Sequence, residues 1–320
     1  MKRSSYPRAV SRSLNVTTVV SIAMLALLFA VIHRGRTLRA GQALRQLPST
    51  ARAVLRIDTG ALQGTAAANT LFEALVPEEQ LSEIETTCGL DPLQSLSEVT
   101  VWVRGPEEQP FQSMGLMLRG SSADSAALAE CHRLLVEKRG GSVVRLEGPA
   151  GSLMASRDSR SAIARLDERT IVTGSVTTVA EAMAVRTGAS PPLIERTHLA
   201  ELWQKISDRA CIAAVLDPPS HWKSALERVT DLGNGASAAE GVQSIAFAVE
   251  SGSARTVDVY IVVTDAELAK RDAARIRDWV ASPPQAPDPP WAEVLRSALV
   301  EVRGSTILVT LDVSSLSRTR

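Results

Sequence analysis

From Ser13 to Ile32 the chain reads SLNVTTVVSIAMLALLFAVI, twenty residues without a charge, closed by Arg12 on one side and His33-Arg34 on the other. At about 1.5 Å of rise per residue, such a helix just spans a hydrocarbon core of roughly 30 Å. A cleavable signal has a shorter apolar core, of about 7–15 residues, with a small-x-small site close behind it. Here the core is longer and HRGRTLRA follows it, with Gly41-Gln42-Ala43 the nearest passable site. The expectation is an uncleaved transmembrane anchor over residues 13–32, in contact with membrane lipid. A removed signal peptide and a buried soluble helix are the alternatives. Residues 1–12 then form a short basic tail, residues 33–48 a polar stalk, and the folded body begins after Pro48.

Charge is segregated along the chain. The formal net charge is zero, yet residues 1–45 carry eight basic side chains and no acid. From Gln46 onward 27 basic residues face 35 acidic ones, a body of about −8. A basic flank suits anionic lipid headgroups, and an acidic body is a poor partner for nucleic acid. The expected address is the inner (cytoplasmic) membrane, single-pass, with the body periplasmic or otherwise extracytoplasmic.

Beyond residue 48 the pattern alternates between strand and helix. Ala53–Asp58 reads as a short apolar strand stopped by Thr59-Gly60, and residues 70–87 as two short helices broken at Pro77. Gly89 closes the second of these. Two strands follow, around Val99–Arg104 and Met114–Leu118. Ser121–Arg139 places Ala127, Leu128, Cys131, Leu134 and Leu135 on one helical face, and Gly140-Gly141 ends it. Val143–Leu146, Ala162–Leu166 and Thr170–Thr173 read as strands, and Val176–Val185 as a helix. The order then recurs. Ala210–Leu216 ends at Asp217 as the first strand ends at Asp58; Ser220–Val229 is helical, and Ser244–Val249 and Thr256–Val263 are strands. Thr264 and Glu267 have the spacing of a capping box opening a helix to Val280, and Val300–Asp312 is a hairpin whose TILVT echoes TIVT at 170–173. The fold class expected is α+β: after the transmembrane helix, two β-α-β-β-α-β-like repeats with antiparallel sheets. The first repeat covers residues 49–188, a connecting helix 189–209, and the second repeat 210–320. The two layers can share one extended sheet or sit side by side.

The opening LPSTARAVLRID, the GLDPL at 89–93 and the DERTIVTGS at 167–175 resemble an uncharacterised bacterial group of membrane-anchored, duplicated α+β proteins. The resemblance implies this architecture and an envelope address, and it brings no catalytic residues with it.

Motifs of chemistry are sparse. Ser220 and Lys223 fit the S-x-x-K of penicillin-recognising enzymes, with one helical turn between them, but neither S-D-N nor K-T-G follows. Ser220 after Asp217-Pro218-Pro219 also suits a helix N-cap. Gly233-Asn234-Gly235 precedes a strand instead of following one, so it is not a dinucleotide fingerprint. His33, His132, His198 and His221 are isolated, and no paired-cysteine or H-E-x-x-H spacing suggests a metal. Cys88 and Cys131 both belong to the helices of the first half and can form a disulfide in an oxidising compartment; a buried free thiol at Cys131 is the competing picture. ASPPQAPDPP at 281–290 is a stiff connector or an extended docking strand. The reading is a membrane-anchored envelope protein whose body binds a protein partner or a small envelope ligand without catalysis and without a cofactor. The alternative is a hydrolase or transferase using Ser220 and Lys223.

Overall fold

The computed structural model describes residues 44–62, 78–91, 95–105, 112–120, 122–206, 210–218, 241–250, 256–281 and 289–313. The expected span 13–32 lies outside them, and among the described residues no helix is long and apolar enough to cross a membrane.

Among the described residues twelve strands form one sheet. They are β1 Ala53–Asp58, β2 Leu96–Arg104, β3 Ser113–Gly120, β4 Val143–Gly148, β5 Gly151–Ser156, β6 Ala162–Arg165, β7 Thr170–Gly174, β8 Ala210–Leu216, β9 Val242–Glu250, β10 Thr256–Val263, β11 Leu299–Arg303 and β12 Thr306–Asp312. Their spatial order is β11-β12-β10-β9-β8-β1-β2-β3-β7-β6-β5-β4, and neighbouring strands run antiparallel. At the middle, β1 pairs with β8 in a register that sets Leu55 opposite Ala214 and Ile57 opposite Ile212. Outward from this pair the succession is the same on both sides: first strand, the next two in chain order, then the second and first strands of the last hairpin. The halves therefore share one sheet, and it is continuous through β1 and β8.

The helices are α1 Thr59–Leu62, α2 Glu78–Cys88, α3 Ser122–Lys138, α4 Val176–Arg186, α5 Thr197–Lys205, α6 Ala266–Ala281 and α7 Pro289–Arg296. Strand alternation sends successive side chains to opposite faces. One face carries Val54, Trp102, Met117, Val172, Ala213 and Val215 under Val179 and Met183 of α4 and Leu199, Leu202 and Trp203 of α5. The other carries Ile57, Val99, Ile212 and Val249 against Leu62 of α1, Leu128 of α3 and Val294 of α7. A third cluster sets Val242, Val263, Ile307 and Val309 under Ala269 and Ala273 of α6.

Several expectations are corrected. Leu44 and Leu47, in the stretch read as stalk, are buried in the core, and Leu193 donates its N–H to the Leu47 carbonyl at 2.7 Å. The body thus begins at or before Leu44. The connecting helix expected within 189–209 is present as α5, which packs on β8 and β9. Strand β5 was missed because Gly151, Ser152 and Ala155 give it no apolar alternation to read. Together with β4 it adds a hairpin that has no counterpart among the described strands of the second half. Helix α6 is opened by Asp265, whose carboxylate accepts the Leu268 N–H at 2.8 Å, and not by the Thr264–Glu267 box. Ser220, Lys223 and the helix expected at 220–229 lie outside the described residues.

Candidate functional site

Charged side chains inside an apolar sheet are the feature of this body that needs a physical account. Strand β1 carries Arg56 and Asp58 and strand β2 carries Glu98, exposed by 1%, 6% and 5% respectively. Pairing brings them together: Asp58 lies opposite Glu98, and Glu98 opposite Arg119 of β3. Two arginines thus meet two carboxylates, a neutral set. Arg119 lies 3.6 Å from Glu98, donates to Gln46 Oε1 at 3.0 Å, and reaches Thr170 Oγ1 at 3.5 Å. Arg56 donates to the Ala210 carbonyl at 2.7 Å, bridging β1 to the start of β8. Asp58 caps α1 by accepting the Ala61 N–H at 2.9 Å, and Thr59 donates to the Leu96 carbonyl at 2.6 Å.

Burial dominates the electrostatics of both carboxylates. It pushes Glu98 above the ordinary range, against the pull of Arg119 and Arg56. It does the same to Asp58, against the Ala61 amide and Arg56. The chemistry available is that of a charged clasp: the two arginines tie β1, β2, β3, β8 and the entering segment at Gln46 into one end of the sheet. The cluster was not singled out from the sequence. The signal was there, since Arg56 interrupts AVLRID and Glu98 interrupts LSEVTVWV where the alternation calls for apolar residues.

A second constellation joins α3 to the β5–β6 turn. His132 Nε2 lies 3.3 Å from Ser161 Oγ, and burial holds the imidazole pKa below its usual value. Ser161 donates its N–H to Ser156 Oγ at 3.0 Å, and Ser156 donates its hydroxyl to Asp158 at 2.6 Å. The carboxylate therefore serves Ser156 and not the imidazole. His132 Nδ1 is buried with no partner among the described residues. A serine–histidine dyad needs an acceptor on Nδ1 to fix the tautomer that takes the serine proton. Among the described residues nothing on Nδ1 fixes that tautomer.

The cysteines separate into two kinds. Cys88 at the end of α2 and Cys131 in α3 are joined by a disulfide, with their Cα atoms 5.1 Å apart. Around it Lys138 donates to Thr87 at 2.9 Å, and Arg139 pairs with Glu83. Cys211 is a buried free thiol that donates to the Val249 carbonyl, and burial pushes its pKa up to about 12. Asp217, just past β8, closes a 2.8 Å ion pair with Arg196. Among the described residues no group of three or more His, Cys, Asp or Glu side chains is placed to hold a metal.

No family model matches the chain, and neither does any curated protein. Solved structures of TP0453 are similar to it at low identity. Crystal form III has 12% identity and a TM-score of 0.43, covering 86% of this chain and 96% of that one. Crystal form IV gives 11% and 0.44, and crystal form I 10% and 0.42, each covering 86% of this chain and 94% of that one.

Proposed function

We propose that this is an envelope protein held in the inner membrane by residues 13–32, with an extracytoplasmic body that binds a protein partner or small envelope ligand and does not catalyse. The observation that carries the address is the Cys88–Cys131 bond. Structural disulfides persist in oxidising compartments and are rare where cellular thiols are kept reduced. The uncharged run at 13–32 and its basic flank support the same reading, since both suit a bilayer. Binding is favoured over hydrolysis because the Ser161–His132 contact has no orienting acid among the described residues, and because the buried carboxylates Glu98 and Asp58 are committed to arginines and backbone amides. We further read the body as a duplication, in which β8, β9, β10, β11 and β12 repeat β1, β2, β3, β6 and β7. The matching succession on the two sides of the β1–β8 pair supports this.

Fractionation with protease protection tests the address. The intact 34.1 kDa chain should stay with inner membranes through salt and carbonate washes, and protease added outside that membrane should digest the body. Recovery of a soluble form beginning near Ala43 replaces the anchor with a removed signal. A body protected from outside protease reverses the orientation.

A further inference from the structure

The sheet ends in two edge strands, and they are finished differently. On β11, Val300 turns its carbonyl away from β12, and Arg277 of α6 donates to that oxygen from Nη2 at 2.8 Å and from Nε at 3.3 Å. A side chain from the overlying helix thus occupies the edge. On β4 the register sets Gly148 opposite Gly151 and Val143 opposite Ser156, and just beyond it Arg157 donates its N–H to the Ser142 carbonyl. The even-numbered residues therefore bond β5, and Val143, Arg145 and Glu147 turn their N–H and C=O groups outward. No described residue bonds those groups. The side chains there are open: Arg145 is 71% and Glu147 68% exposed, and Leu146 between them is 38% exposed.

We infer that β4 is the pairing edge for a second copy of this chain, joined strand to antiparallel strand about a two-fold axis at Leu146. The charge order carries the inference. A two-fold pairing that uses the outward groups of odd-numbered residues can centre on Val144, Arg145, Leu146 or Glu147, and centring on Val144 sets Arg145 against Val143 and gives Glu147 no opposite charge. Centring on Arg145 sets arginine against arginine, and centring on Glu147 sets glutamate against glutamate. Centring on Leu146 sets each Arg145 opposite the other copy's Glu147, exchanging four backbone hydrogen bonds and stacking Leu146 on its symmetry mate. Opposite charges directly across a ladder stabilise it and like charges oppose it. The 2.6 Å Arg145–Glu147 pair now made along one strand then becomes a pair between strands. The second copy is also the occupant that supplies this charge order automatically, because an isologous contact presents the same strand from both sides. An edge contact of this kind is small, so the dimer is weak and reversible. The inference goes beyond the envelope reading and needs neither the membrane nor the disulfide.

The test uses the full chain in detergent, by sedimentation over a concentration series. The wild type should show a monomer–dimer equilibrium. Arg145→Glu and Glu147→Arg should each weaken it about tenfold, by reversing two cross-strand pairs, and the double exchange should restore it. In parallel, Leu146→Cys should form an intermolecular disulfide on mild oxidation. Its two Cα atoms would be about 4.5 Å apart in a non-hydrogen-bonded pair, and the buried Cys211 contributes no background. A wild type that stays monomeric throughout overturns the inference. So does a dimer indifferent to the single charge reversals, or one that crosslinks through Arg145→Cys and not through Leu146→Cys.

Discussion

Glu98 shows how a single buried carboxylate ties stability to pH. Its pKa lies above the ordinary 4.5 in the folded chain because burial outweighs Arg119 and Arg56. Between the unfolded and the folded value the native state holds the extra proton, so stability falls as pH rises through that window. Below the unfolded value this contribution is fully present. Urea unfolding followed upward from pH 4.5 should therefore show a declining midpoint, and Glu98→Gln should flatten the decline. A midpoint that rises steadily with pH would mean that the arginines win. At Gly115 sterics decide instead. A Cβ there would sit 2.1 Å from the ring of Trp102, which is fully buried on the neighbouring strand. Backbone and a large indole leave no direction in which to yield. Gly115→Ala should destabilise the fold by about 2–3 kcal/mol, seen as a lower denaturation midpoint with an unchanged slope.

At the scale of elements, α2 depends on covalent chemistry. It leans on α3 through the disulfide and the exposed polar contacts of Glu83 and Thr87. In the chain-entropy model a bridge across 43 residues contributes about 4 kcal/mol. Cys88→Ser should cost about that much, and hydrogen exchange should rise first along residues 78–88 while the central strands stay protected. The pairing of Cys88 with Cys131 was readable as one of two options, because both residues sit in adjacent helices while Cys211 sits in a strand. The strands were legible where alternation was clean, as in β2 and β10. Strand β5 was not, since small residues bury without announcing a period. Nor was the fate of Leu44 and Leu47, because a short apolar stretch beside a charged one reads as linker until a tertiary partner at Leu193 is known. Arg56 and Glu98 were legible only as exceptions to a pattern. The cation facing Glu98 is Arg119 of β3, itself held by Gln46 from 73 positions away, which local spacing cannot show.

The described residues build one antiparallel sheet with β1 and β8 at its middle, helices on both faces, and two edges of unlike character. A body that folds around a disulfide fits the proposed extracytoplasmic address, where thiols are oxidised. Only three cysteines occur in the chain. Cells can be quenched in acid, unfolded in detergent and treated with a thiol-reactive polymer, with and without prior reduction. One adduct is expected without reductant, at Cys211, and three with it. Three adducts without reductant would mean that Cys88 and Cys131 are reduced in the cell and that the body lies in a reducing compartment.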